Sequence, residues 1–187
     1  IPRPETEELV ELILSENPET PLSVLDIGTG SGAIALALAN SRPDWQITAS
    51  DLSSDALSLA AENAQFCGLN LTLVQSDCLD AIQGKFDIIA SNPPYISEED
   101  KDEVGLNVLT SEPHMALFAE EDGYEVYRKI AEQAGDYLTE KGKIYLEIGY
   151  KQGDGVVDLL KQFFPQKRIR VLKDQFGKDR MVAMDNG

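Results

Sequence analysis

Asn92-Pro93-Pro94-Tyr95, within "ASNPPYISEED" (90–100), brings together residue types suited to capturing an NH₂ group. A primary amide or exocyclic amine is a poor nucleophile because its nitrogen lone pair is delocalised. The Asn92 side-chain oxygen and the Pro93 carbonyl can each accept one N–H of such a group. Two acceptors fix the nitrogen and shift electron density onto it. Pro93 and Pro94 have a fixed φ and no N–H, so they hold the carbonyl rigidly in an unusual direction. Tyr95 adds a flat wall for a planar group. No titrating residue is present and none is required, since the nitrogen becomes acidic as it is substituted and its proton can leave to water. The plain reading, two prolines ending a strand, stands beside this one.

A second constellation lies upstream, in "VLDIGTGSGAIALALA" (24–39). Gly28, Gly30 and Gly32, with Thr29 and Ser31 between them, remove bulk where a backbone turns sharply and a ligand comes close. Asp51 follows about twenty residues later, where a carboxylate can accept both hydroxyls of a ribose. The pattern serves any adenosine-bearing cofactor, and read as G-x-G-x-x-A with Ala33 last it passes the dinucleotide fingerprint. Asp26 tips the choice: a carboxylate near the strand's end suits a cationic sulfonium better than a pyrophosphate, and favours S-adenosyl-L-methionine over NAD. Asp77, in the turn "SDCLD" (76–80), reads equally as a turn-capping aspartate or a ligand contact.

These residues need a frame. The spacing predicts a helix over 5–16, a strand over 23–28, a helix over 31–41 and a strand over 46–51. A Ser-capped, Gly-stopped helix over 53–68 follows, then strands over 71–77 and 85–92. The last of these is apolar throughout, as a strand buried on both faces should be. Beyond a polar, turn-rich stretch come a helix over 123–138, a strand over 142–149 and a helix over 153–164. "KRIRVLK" and "DRMVAMD" flank Gly177 as a hairpin. Alternating strands and helices predict an α/β, Rossmann-like, mostly parallel sheet covered on both faces, with an antiparallel strand at its C-terminal end. Ligands of such sheets bind beyond the carboxyl ends of the strands, where both constellations fall.

Composition narrows the partners. With 187 residues the chain suffices for one domain, and 42% hydrophobic with 26% charged residues argues against disorder. The longest apolar run, Ala33–Ala39, is too short to span a bilayer, so no membrane association is expected. A net charge of −17 repels a phosphate backbone, and no direct nucleic-acid binding is expected. The one basic cluster, "PQKRIRVLK" (165–173), reads as a charged edge strand. Cys67 and Cys78 form neither a disulfide framework nor a zinc pattern, so no metal site and a reduced, cytoplasmic setting are expected. His114, the only histidine, reads as a surface-loop residue, Trp45 and Tyr137 as packing residues, and Glu147 as a strand-end acid with or without a role.

The terminal hairpin resembles the seven-stranded sheet of class I methyltransferases, whose last strand inserts antiparallel. "NPPY" after "FDIIAS" resembles the amino methyltransferases acting on adenine, guanine and glutamine. "IPRPETEELV" and "EPHMALFAEEDGYEVYRKI" (112–130) look specifically like the glutamine-N5 methyltransferases of peptide chain release factors. The resemblance runs through nearly the whole chain. It implies transfer of methyl from S-adenosyl-L-methionine to the glutamine of the Gly-Gly-Gln loop of bacterial release factors. It also implies cofactor contacts at Gly28 to Gly32 and Asp51, adenine contacts at Asp77 and position 78, and substrate contacts at Asn92 to Tyr95, with Asn92 also near the methionyl part. Many members are aromatic where this chain has Cys78, which leaves stacking on adenine open. The family's N-terminal helical docking domain is expected to be absent, making residues 1–187 a single catalytic domain. Two rivals stay open: a nucleic-acid N6-adenine or N2-guanine methyltransferase, and a non-catalytic adenosine-cofactor binding module.

Overall fold

The computed structural model describes residues 4–93 and 123–187; Pro94, Tyr95 and His114 lie outside the described residues. Helix α1 (Pro4–Glu16) leads to β1 (Ser23–Ile27), α2 (Ala33–Ser41), β2 (Gln46–Asp51), α3 (Ser54–Cys67), β3 (Thr72–Gln75) and β4 (Phe86–Ser91). Then come α4 (Glu125–Gln133), a short 3₁₀ turn (Ala134–Tyr137), β5 (Leu138–Glu147), α5 (Gly153–Phe163), β6 (Arg168–Lys173) and β7 (Asp179–Asp185). The seven strands form one sheet in the order β3-β2-β1-β4-β5-β7-β6. Strands β1 to β5 are parallel, and β7 inserts antiparallel between β5 and β6, as expected.

The apolar strands are apolar because both faces are covered. Leu25 and Ile27 of β1 face a core built with Tyr127 and Ile130 of α4 and Val156 and Leu160 of α5. Val24, one residue out of phase, joins Leu9 and Ile13 of α1 and Leu38 of α2 on the other face. Helix α3 begins and ends as its sequence predicts. The Ser53 hydroxyl accepts from the Ala56 amide at 3.1 Å, and Gly68 closes it at φ 68°. Trp45 is buried and donates through Nε1 to the Thr20 carbonyl at 3.0 Å, so its packing role holds.

Several boundaries differ from expectation, three of them informatively. Helix α2 starts at Ala33 rather than residue 31, because the glycine turn occupies positive φ up to Gly32. Helix α4 gives way to the 3₁₀ turn instead of running on to residue 138. Strand β5 begins at Leu138, before the turn-like "TEKG". Pairing with β4 shifts between Phe86↔Leu138 and Ile88↔Lys143, so β5 accommodates extra residues as a bulge. Asp87 secures it, accepting from the Thr139 hydroxyl at 3.0 Å and from the Ser23 amide of β1 at 2.9 Å.

The basic cluster indeed forms the edge strand, β6, and the charges within that strand are paired. Arg168 grips Asp185 through two bonds of 2.8 Å, Arg170 reaches Glu16 at 2.9 Å, and Lys173 reaches Asp179 at 3.1 Å. Among the described residues no helix is long and apolar enough to cross a membrane.

Candidate active site

Strands β1 and β4 are neighbours in parallel register, Ile27 opposite Ser91. The chain therefore leaves the sheet at Gly28 and at Asn92 side by side, and the Ser91 hydroxyl ties the two ends by donating to the Ile27 carbonyl at 2.7 Å. The two constellations singled out in the sequence thus share one edge.

Gly28, Gly30 and Gly32 all have positive φ, at 70°, 56° and 86°, where a side chain would be strained. A Cβ at Gly28 or Gly30 would point into open space, whereas at Gly32 it would sit 3.3 Å from the Ala60 Cβ of α3. The first two glycines therefore leave a bare backbone facing outward, and the third lets α2 pack on α3. Thr29 is buried and works inward, its amide donating to the Ser50 carbonyl at 2.9 Å and its hydroxyl to Asp26 at 2.8 Å. Ser31 is exposed, and its carbonyl accepts from Asn63 at 2.9 Å.

Asp26 differs from its sequence reading. Its register partners are Ala49 and Ala90, small residues that leave room for a carboxyl within the sheet's cover. There it is 1% exposed, beneath Thr29 and the start of α2, rather than facing a ligand. Burial pushes its pKa up to about 7, against the hydrogen bonds from Thr29 and the Ala35 amide, and Asp51 adds to the rise. It is a strut of the turn.

Asp51 sits half-buried at the end of β2, and each of its oxygens takes one backbone amide: Gly30 at 2.9 Å and Ser53 at 2.9 Å. An ionised carboxylate has about four lone-pair sites, so acceptor capacity remains on both oxygens for a vicinal diol. At the end of β3 the Ser76 hydroxyl donates to the Cys78 carbonyl at 2.8 Å and accepts from the Ala81 amide at 2.9 Å, which shapes the turn. Asp77 is not free: Lys129 of α4 donates to both its oxygens at 3.1 Å. Cys78 is the one non-glycine described residue with positive φ, at 50°. Its side chain is buried in the core below the turn, and burial pushes the thiol up to about 11. It offers the edge its backbone, not the flat wall an aromatic residue would.

At the end of β4, Pro93 is buried and Asn92 half-buried. The Asn92 amide nitrogen donates to the Thr6 hydroxyl at 3.4 Å, and that hydroxyl donates to Glu147 Oε2 at 3.1 Å. Glu147, fully buried at the end of β5, also lends its backbone carbonyl to the Tyr127 hydroxyl at 2.7 Å. Thr6 went unnoticed in the sequence, where "PETEELV" reads as an ordinary first helical turn. Lys129 was equally hidden, as one charge on an amphipathic helix. Among the described residues no three His, Cys, Asp or Glu side chains gather as metal ligands would.

The strand order, the inserted antiparallel strand and the glycine turn closing β1 define the class I methyltransferase fold. A family model described as "Methyltransferase small domain" matches residues 6–115. Among solved structures, a ribosomal protein L11 methylase from Lactobacillus delbrueckii subsp. bulgaricus superposes with a TM-score of 0.71. The superposition spans 97% of this chain and 78% of that one at 24% identity, a likeness of fold alone. Sequence relatives are nearer. A release factor glutamine methyltransferase of Streptococcus pneumoniae is 67% identical over 187 residues, covering 100% of this chain and 67% of the relative. That of Lactococcus lactis subsp. lactis is 55% identical over 184 residues, covering 98% and 68%. The chain belongs to the release factor glutamine methyltransferase family, and it spans about two thirds of the length of these relatives.

Proposed function

We propose that this chain methylates the side-chain amide nitrogen (N5) of the glutamine in the Gly-Gly-Gln loop of peptide chain release factors, with S-adenosyl-L-methionine as donor. The observation that carries the proposal is the shared edge of β1 and β4, which sets a bare glycine backbone beside an asparagine amide. The names of the relatives supply the substrate. The residues fit the cofactor: Gly28 and Gly30 leave open space above the turn, and Asp51 retains acceptors for a ribose.

In this reading Gly28, Thr29, Gly30, Ser31 and Gly32 cradle the cofactor, Asp51 takes the ribose hydroxyls, and Asp77 with the Cys78 backbone borders the adenine. Bound there, S-adenosyl-L-methionine would supply an electrophilic methyl group to the amide nitrogen, with S-adenosyl-L-homocysteine as the leaving product. The Asn92 oxygen and the Pro93 carbonyl accept the two N–H bonds of the substrate amide and aim its nitrogen. One of those protons then passes to water. The same reading assigns Pro94 and Tyr95, outside the described residues, to substrate contact. Residues 1–187 act as one catalytic unit on a protein substrate in the reduced cytoplasm, without touching nucleic acid directly. The pairing of Arg168, Arg170 and Lys173 with carboxylates supports that last point.

An Asn92→Ala variant tests the site. It is expected to bind S-adenosyl-L-methionine as the parent does in calorimetry while kcat falls roughly a hundredfold or more. Parental transfer by Asn92→Ala would remove the two-acceptor mechanism.

A further inference from the structure

We propose that Thr6 and Glu147 are positioning residues that fix which way the Asn92 amide faces. The inference rests on the reading of Asn92 as an acceptor for the substrate NH₂. An asparagine can serve that way only if its oxygen, not its nitrogen, is turned to the substrate. The two ends of the amide have nearly the same shape, so packing alone cannot choose between them.

Hydrogen-bond polarity makes the choice. The Thr6 hydroxyl has a single proton, and it donates that proton to Glu147 Oε2 at 3.1 Å. Thr6 then has only lone pairs to offer Asn92, and the group 3.4 Å away must be the donor, Nδ2. The amide oxygen is thereby turned from Thr6. In the flipped amide, oxygen would meet the lone pairs of Thr6, and two NH₂ groups would confront each other at the substrate. Both ends of that arrangement are repulsive.

The relay joins three places in the fold: α1 supplies Thr6, the residue following β4 is Asn92, and β5 ends on Glu147. Its inner end is shielded from water, which would otherwise supply competing donors and acceptors, while Asn92 is half-buried. Glu147 is 0% exposed and Thr6 4%. The Tyr127 hydroxyl on the Glu147 carbonyl, at 2.7 Å, holds the strand end that carries the acceptor.

The test uses Thr6→Val, which keeps the shape and loses the hydroxyl, Thr6→Ser, which keeps the hydroxyl, and Glu147→Leu, which removes the acceptor. Each is measured for release-factor methylation (kcat and KM separately), cofactor affinity and thermal melting, alone and with Asn92→Ala. Thr6→Val and Glu147→Leu are expected to lower kcat roughly tenfold to a hundredfold, with cofactor affinity kept. Thr6→Ser should recover most of the loss, and Thr6→Val should add nothing once Asn92 is alanine. Parental kcat in Thr6→Val, while Asn92→Ala is inactive, overturns the relay and leaves the proposed function standing. So does a loss that serine fails to recover and that adds fully to Asn92→Ala. Should Thr6→Val not fold, parental kcat in Glu147→Leu overturns it equally. Undiminished transfer in Asn92→Ala instead strikes the reading of Asn92 itself.

Discussion

Asp26 is a carboxyl held where its charge is least welcome, and the consequence is measurable. Its ordinary ionisation lies near 3.8, and burial in the folded chain moves it to about 7. Between those values the folded chain keeps a proton that the unfolded chain has lost. Stability from this residue is therefore whole below pH 4 and falls as pH rises through 7, by about 4 kcal/mol in all. Asp26→Asn abolishes that slope. Its new NH₂ lacks a partner where Oδ1 lacks one now, a cost independent of pH. Urea melts at pH 4, 6 and 8 should show Asp26→Asn gaining on the parent as pH rises; a constant difference would contradict the assignment. At this scale the sequence was only partly legible. Asn92, Asp51 and the three glycines announce themselves by type and spacing. Thr6 does not, because its partner Glu147 lies 141 residues away and nothing local marks the pair. Asp26 was recognised as a special carboxylate but aimed outward, since the alanines that make room for it inside belong to other strands.

Among the elements, the junction of β4 and β5 carries a prediction of its own. A Cβ on Gly142 would lie 2.8 and 2.9 Å from Leu138 side-chain atoms and 3.0 Å from the Thr139 carbonyl oxygen. Since the last is backbone and held by the bulge, Gly142→Ala should destabilise the fold by about 1–3 kcal/mol. Chemical denaturation reads this directly, and a stability equal to the parent's would mean that the bulge yields. The same junction shows where element boundaries escape a sequence. "TEKG" has the composition of a turn, and only the Asp87 carboxylate, reaching it from β4, makes it part of a strand. Elements whose ends are coded locally fared better. The Ser53 cap and the Gly68 stop of α3 fall where the residues alone set them. The start of α2 was misjudged by two residues because the glycine turn was known to be sharp, but its length in left-handed backbone was not.

For the whole molecule, strand order governs function. Placing β1 beside β4 brings Gly28 and Asn92, far apart in the chain, to one edge, and β5 beside β4 adds Glu147. Alternation of strands and helices and the closing hairpin made a mostly parallel sheet with an antiparallel strand legible, while the insertion of the last strand was implied by the resemblance to class I methyltransferases. The surface has its own bearing on the substrate. With 33 acidic and 16 basic residues the chain repels polyanions, and the basic residues of β6 are spent on neighbouring carboxylates. A protein amide therefore suits the edge better than a nucleobase carried on phosphates. The central claim is that the nitrogen receiving the methyl is that of a release-factor glutamine. It is tested most directly by incubating the chain with S-adenosyl-L-methionine, a release factor and total RNA together, then digesting the release factor for tandem mass spectrometry. The account predicts one methyl group on the side-chain nitrogen of the Gly-Gly-Gln glutamine and none on RNA; an unmodified glutamine beside methylated RNA would contradict it.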